Sequence, residues 1–197
     1  MCAITTAALC RTAIADCLTP EQLLALADQV LAVEPHHPRV DRWLLAAIAL
    51  VESAGYPKAV GDNGRAVGLF QFHVATWRDV WKNELSPPNR TMAIAAMTAA
   101  VRYLTIGARR LDRPDHRPWK DWRLAAFHNA GNVKGCNRAY GEKVVRLMKT
   151  IQKNRKATSC KPGHSSWKAP ASSDPSPRLN PRRRAFSEKA QNENRQS

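Results

Sequence analysis

The sequence has 197 residues, of which 44% are hydrophobic, and it carries a formal net charge of +15. This length allows one domain with a substantial core and excludes two large domains. No run of about 18 apolar residues occurs, so a membrane-spanning helix is not predicted. The basic excess favours polyanionic partners as a class, without distinguishing nucleic acid, anionic lipid or cell-wall polymers.

The first predicted helix follows Thr19, whose side chain can cap it together with Gln22. The residues ahead of this helix are moderately apolar. However, no basic region precedes their apolar run, and Arg11 interrupts it. The start of the chain is therefore not a convincing signal peptide.

The second predicted helix begins at Asp41 and is apolar on every side from Trp43 to Val51. A helix with this pattern is buried all round. Residues 61–72 then contain an Asp-Asn-Gly turn and a further glycine. Because these residue types favour turns and positive φ angles, a small hairpin or turn-rich excursion is predicted there.

Helical patterns return in the second half of the chain, over residues 76–82, 91–111, 119–129 and 139–153. From about residue 157 Ser, Pro, Lys and Arg dominate, and such a composition cannot build a core. Residues 153–197 contribute +8 of the net charge. The predicted organisation is an N-terminal segment with one helix (residues 1–37), a helical domain (38–152) and a disordered basic tail (153–197).

The apolar second helix runs directly into Glu52, the first candidate for chemistry. Burial disfavours the charged form of a carboxyl group and raises its pKa. A carboxylic acid that stays protonated near neutrality can donate a proton to a leaving oxygen, which glycoside cleavage requires. On this residue alone, the alternative of a helix-end glutamate that turns to water or pairs with an arginine stays open.

Two sequence blocks extend this interpretation. The first runs from Glu52 to Gln71 and contains Glu-Ser, then Pro-Lys-Ala, then a glycine-rich turn ending in Gly-Leu-Phe-Gln. The second, residues 126–131, has the sequence Ala-Phe-His-Asn-Ala-Gly. Together they resemble the lytic transglycosylase (SLT) family of the lysozyme-like superfamily, whose signature has Glu-Ser, Pro-x-Ala, Gly-Leu-Met-Gln and Ala-x-Tyr-Asn-Ala-Gly. The resemblance covers about residues 38–150.

The resemblance implies a mainly α-helical, lysozyme-like domain with a small hairpin excursion. It implies Glu52 as the sole catalytic carboxylate. The substrate-binding residues that it implies are Ser53, Gln71, His128 and Asn129. Neither a cofactor nor a metal is predicted. The five cysteines show no metal-binding spacing, and their odd number favours free thiols over a disulfide framework.

The resemblance also implies a reaction on peptidoglycan. Glu52 first protonates the glycosidic oxygen between N-acetylmuramic acid and N-acetylglucosamine. The ionised Glu52 then takes the proton from the 6-hydroxyl of the same muramoyl residue. The product has a 1,6-anhydro end, and no water is consumed.

One position departs from the family pattern, because His128 replaces the expected tyrosine. Histidine ionises near pH 6.5, and a charged His128 in contact with Glu52 would lower the pKa of the glutamate and impair its acid role. The sequence therefore predicts a pH optimum above the titration of His128 if the two residues are in contact. The alternative is a helix histidine bonded to backbone or water.

Three other functions stay open at this point. A hydrolytic muramidase is the nearest, since one carboxylate and a well-placed water can suffice. A low-turnover peptidoglycan-docking component of a phage particle or conjugation apparatus is the second. A nucleic-acid binder is suggested only by charge, because no recognition motif supports it. The predicted location is the cell envelope, as a periplasmic, secreted or virion-associated protein. Peptidoglycan is the predicted partner, and anionic envelope polymers are predicted to bind the basic tail.

Overall fold

Six α-helices make up most of residues 17–114 and 120–159, which are the residues that the computed structural model describes. The chain is mainly helical, as predicted. The helices in chain order are α1 (Pro20–Leu31), α2 (Arg42–Ser53), α3 (Val74–Val80), α4 (Ala93–Leu111), α5 (Asp121–Ala130) and α6 (Arg138–Ser159). None of the helices in these residues is long and apolar enough to cross a membrane.

Helix α2 lies at the centre of the core, in contact with α1, α4 and α6. Its start is capped by Asp41, whose carboxylate accepts a hydrogen bond from the Leu44 backbone N–H at 2.8 Å. Every residue from Leu44 to Ala49 is at most 5% exposed. The all-round apolar pattern of α2 is therefore explained by its burial against several other helices.

Helix α1 is attached to the end of α2. Its predicted capping box is present, with Thr19 and Gln22 each bonding the backbone of the other. Just before it, the Leu18 N–H donates to the Gly55 carbonyl at 2.8 Å. Gly55 has a φ of +82°, and a Cβ there would collide with the Leu18 carbonyl oxygen. The turn that follows Glu52 thus rests against the segment that precedes α1.

The predicted hairpin excursion is also present. Strand β1 (Val60–Gly61) pairs with β2 (Ala66–Val67) in antiparallel register, and a 3-10 turn joins them. In that turn Asp62 and Asn63 have φ angles of +48° and +52°. Asn and Asp are among the non-glycine residues that tolerate this region best, so the local sequence explains the turn.

Helix α6 is longer than the sequence pattern predicted. Residues 153–159, which were assigned to the tail, form its last turns. They contain no proline or glycine, and the first proline beyond them is Pro162, so nothing in their sequence interrupts the helix. The rest of the predicted tail and the N-terminal apolar run lie outside the described residues.

Two of the five cysteines, Cys17 and Cys136, lie within the described residues, and both are free thiols. Cys136 is half-buried in the connection between α5 and α6. Burial raises the pKa of its thiol, which outweighs the opposing effect of Arg123 nearby. Its thiol therefore stays protonated around neutral pH, as expected for a structural cysteine.

Candidate active site

Glu52 is the second-last residue of α2, where the apolar helix reaches the surface of the core. Its side chain is only 12% exposed. Its Oε1 atom accepts a hydrogen bond of 2.7 Å from the hydroxyl of Tyr140. Glu52 is thus held inside the fold rather than turned to water.

Tyr140 comes from the first turn of α6, 88 positions along the chain from Glu52. No motif in the sequence points to it. It belongs to an apolar stripe on α6 with Val144, Leu147 and Ile151, all of which pack on the core. A tyrosine within that stripe is the hint that the sequence contains, because a phenol that packs on a core requires a hydrogen-bond partner. The identity of the partner cannot be obtained from the spacing.

His128 lies on α5 next to the carboxylate. It is 4% exposed, and its ring makes edge-on contacts with the rings of Phe70, Phe72 and Tyr103. Its Nε2 atom is 3.0 Å from the Phe70 carbonyl oxygen and 3.6 Å from Glu52 Oε1. Because a carbonyl only accepts, Nε2 carries a hydrogen and donates it to Phe70. His128 thus bonds the backbone and also lies beside Glu52, while its role in substrate binding stays a prediction.

Ser53 follows Glu52 directly and turns toward the interior. Its hydroxyl lies 2.9 Å from the carbonyl oxygens of both Ala49 and Leu69. A hydroxyl has one hydrogen, so these two acceptors share it. Ser53 thereby joins the end of α2 to the segment that carries Gln71. Its direct contact with substrate stays a prediction.

Gln71 is 8% exposed and has a φ of +47°. Its side-chain amide donates to the carbonyl oxygens of Gly68 at 2.9 Å and Ala59 at 3.2 Å. Both amide hydrogens therefore serve the fold. A Cβ on Gly61 would collide with its Oε1, so a side chain at position 61 would displace the Gln71 amide. Substrate binding by Gln71 also stays a prediction.

Asn129 is the neighbour of His128 near the end of α5 and is half-buried. The helix ends two residues later at Gly131, whose φ of +73° gives the left-handed cap that favours glycine. The Asn-Ala-Gly part of the second block thus marks a helix end close to the site. Substrate binding by Asn129 stays a prediction as well.

Asp62 is the acidic residue nearest in sequence that could act as a second carboxylate. Its Oδ2 atom is 3.1 Å from Nε2 of His73, so the pair closes the hairpin onto the start of α3. This local role matches its turn position. Among the residues described, no three His, Cys, Asp or Glu side chains converge to hold a metal ion.

The chain also matches a known protein family. A family model described as Transglycosylase SLT domain matches residues 33–161, which is more than half of the chain. The matched range contains all the predicted site residues and also Tyr140. All of α1 precedes it. No curated protein matches the chain.

Proposed function

This chain belongs to the transglycosylase SLT domain family, and on that premise we propose that it cleaves the MurNAc-GlcNAc β-1,4 bond of peptidoglycan and forms 1,6-anhydromuramoyl ends. The observation that carries the proposal is the hydrogen bond from the Tyr140 hydroxyl to Glu52 Oε1, at 2.7 Å, at the end of a buried helix. It gives a single carboxyl group a fixed orientation. A group that must act twice on one substrate needs such an orientation.

The first step uses Glu52 as an acid. Because Oε1 already accepts a hydrogen from Tyr140, the acidic proton resides on Oε2. Oε2 passes that proton to the glycosidic oxygen while the bond from the muramoyl C1 to that oxygen breaks. The positive charge that develops on the sugar ring is stabilised by its 2-acetamido group. Glu52 is left as a carboxylate.

The second step uses the same group as a base. The hydrogen bond from Tyr140 stabilises the carboxylate, since bonds to charged acceptors are stronger than those to neutral ones. Oε2 then accepts the proton of the muramoyl 6-hydroxyl as its oxygen bonds to C1. This restores the acid and completes the anhydro ring. The protons balance without water.

A hydrolytic muramidase would use the same acid and replace the 6-hydroxyl by water. The two reactions are separated by digesting purified sacculi and weighing the released muropeptides. We expect muramoyl ends lighter by one water than the hydrolysis product. Reducing muramic acid without the anhydro form would reject the transglycosylase and favour the hydrolase.

The substrate places the proposed action in the cell envelope. We further propose that the basic tail, with its share of +8 in the net charge, attracts anionic polymers there. This second proposal rests on charge alone and is independent of the chemistry at Glu52.

A further inference from the structure

Residues 68–72, called here the 68–72 loop, are held by side chains from several parts of the chain. The carbonyl oxygens of Gly68, Leu69, Phe70 and Phe72 each accept a hydrogen bond from a side chain. The donors, in the same order, are Gln71, Ser53, His128 and Arg90. Three of these donors were predicted to bind substrate. The fourth, Arg90, belongs to no sequence block.

We propose that Arg90 is a positioning residue for the reaction at Glu52, acting through the 68–72 loop. The inference rests on the proposed function. Arg90 does not touch the carboxylate in the contacts described above. It acts on the loop backbone, whose carbonyl oxygens bond Ser53 and His128, the two residues that lie next to Glu52.

Arg90 bonds the loop at Phe72 and the chain just before the loop at Arg65. Its Nη1 atom donates to the Phe72 carbonyl at 2.8 Å and to the Arg65 carbonyl at 2.9 Å. Between these two residues the chain folds back, with the Val67 N–H bonded to the same Phe72 carbonyl at 3.3 Å. One guanidinium therefore joins the two sides of this turn.

The backbone of Arg90 contacts the loop as well. Gly68 has a φ of +87°, and a Cβ at this position would collide with the Arg90 carbonyl oxygen. The loop is consequently packed against residue 90 through both main chain and side chain. Partial burial lowers the pKa of the Arg90 guanidinium from its ordinary value.

The loop in turn bonds two neighbours of Glu52, one in sequence and one in space. The Leu69 carbonyl accepts from Ser53, the next residue in the chain, at 2.9 Å. The Phe70 carbonyl accepts from His128 at 3.0 Å, and that same nitrogen lies 3.6 Å from Glu52 Oε1. A shift of the loop would therefore move both neighbours of the acid.

Arginine suits this role better than lysine does. Its guanidinium is planar, stays charged and presents several N–H groups in a fixed geometry. Both bonds come from Nη1, whose two hydrogens are fixed in the guanidinium plane, whereas a lysine ammonium turns freely on a flexible stem and holds two carbonyls less firmly. Arg90→Lys should consequently recover only part of the function.

The test compares Arg90→Ala and Arg90→Lys with Arg78→Ala, which removes an exposed arginine on α3. Kinetics on soluble, uncross-linked peptidoglycan strands give kcat and KM for the full chain. Because misplacement by about 1 Å can cost about a hundredfold in rate, we expect Arg90→Ala to lower kcat between about tenfold and a hundredfold and to change KM by less than about threefold. Arg90→Lys should be intermediate, and Arg78→Ala should equal the wild type.

A second readout does not depend on activity. Hydrogen exchange followed by mass spectrometry should show faster exchange in the peptide covering residues 65–72 of Arg90→Ala, with α1 unchanged. Should that variant fail to fold, Arg90→Lys provides the same comparison with a smaller effect. Normal kcat in a folded Arg90 variant, or unchanged exchange in the loop, would overturn the inference. An inactive wild type would instead reject the proposed function and, with it, the catalytic part of the inference.

Discussion

At the level of single residues, the site combines one carboxyl group with two different neighbours. Tyr140 donates to Glu52 Oε1 at 2.7 Å, while His128 approaches the same oxygen at 3.6 Å. The first distance is a hydrogen bond and the second is too long for one. Tyr140 therefore orients the carboxylate through a hydrogen bond, whereas the influence of His128 depends on its charge.

Glu52→Gln should abolish glycan cleavage without unfolding the protein. Glutamine keeps the shape and can still accept from Tyr140, but it has no proton to give. General acid catalysis contributes about a hundredfold to ten-thousandfold, so release of soluble products from sacculi should fall by at least that range. Glu142→Gln, which alters a partly exposed glutamate paired with Arg138 and away from the site, serves as the control. Unchanged lysis by Glu52→Gln would favour a docking protein or a different acid.

The role of Tyr140 is tested in the same series. A hydrogen bond to a charged group contributes about 1.5–3 kcal/mol, so Tyr140→Phe should lower kcat roughly tenfold to a hundredfold. In the Glu52→Gln background the same change should have no further effect, because the group it orients is already inactive. Equal effects of Tyr140→Phe in both backgrounds would contradict a role through Glu52.

The replacement of tyrosine by His128 predicts a specific pH dependence. As the pH falls, His128 gains a proton, and the nearby positive charge favours the ionised form of Glu52. The Glu52 carboxylate is then a weaker base toward the muramoyl 6-hydroxyl, so the rate should decline as pH falls through the titration of His128.

His128→Tyr removes this ionisation and should extend activity to lower pH. Rates measured between about pH 5 and pH 8, on either side of the ordinary histidine pKa, check this. His36→Gln, which changes an exposed histidine, is the control and should keep the wild-type profile. If the rate of His128→Tyr falls at low pH in the same way as that of the wild type, the charge of His128 does not govern the reaction at Glu52.

At the level of elements, the site depends on how closely α5 packs against its neighbours. Gly107 on α4 faces the ring of Phe127 on α5, and a Cβ at this position would collide with that ring. Phe127 precedes His128 directly. The glycine is therefore retained for packing, although alanine is the better helix former.

Gly107→Ala should lower the free energy of unfolding by about 1–3 kcal/mol, despite the gain in helix propensity, because it overpacks this contact. Urea unfolding followed by circular dichroism measures the change. Ile106→Ala, at an exposed position on the same helix, should stay within about 0.5 kcal/mol of the wild type. A stabilised Gly107→Ala would mean that α4 and α5 can separate at no cost.

The helices and the hairpin were largely predictable because their signals are local. Capping by Thr19 and Asp41, the apolar run of α2 and the Asp-Asn-Gly turn all act within a few residues, and the structure contains each of these elements. The end of α6 was not predicted correctly. Its last turns are polar and basic in sequence, and the apolar periodicity ends at Ile151, the last buried side chain among those that the structure describes.

At the level of the whole molecule, the basic tail and the helical domain should be separable. A chain ending at residue 161, the last residue of the family match, retains all of α6. We expect it to cleave soluble strands at the wild-type rate. Its binding to sacculi at low salt should be weaker than that of the full chain, because the basic tail that attracts anionic polymers is missing. At high salt this attraction is screened, so the difference between the two chains should shrink.

Co-sedimentation with sacculi at two salt concentrations measures that binding. A full-length variant with Arg182, Arg183 and Arg184 changed to Ser controls for chain length and should show part of the same loss. A folded truncation without catalysis would show that the domain extends past residue 161. Equal binding with and without the tail would reject the proposal that the basic tail attracts anionic polymers of the envelope.

The sequence by itself determined the family, the helical class and the candidate acid. These depend on short blocks around Glu52 and Asn129, in which neighbouring residues carry the signal. Tertiary structure alone decided which groups meet Glu52. Tyr140 is 88 positions away, and Arg90 reaches the site through backbone carbonyls that no side-chain pattern reveals. Such contacts depend on how helices pack and where loops cross them, and spacing along the chain does not encode those distances.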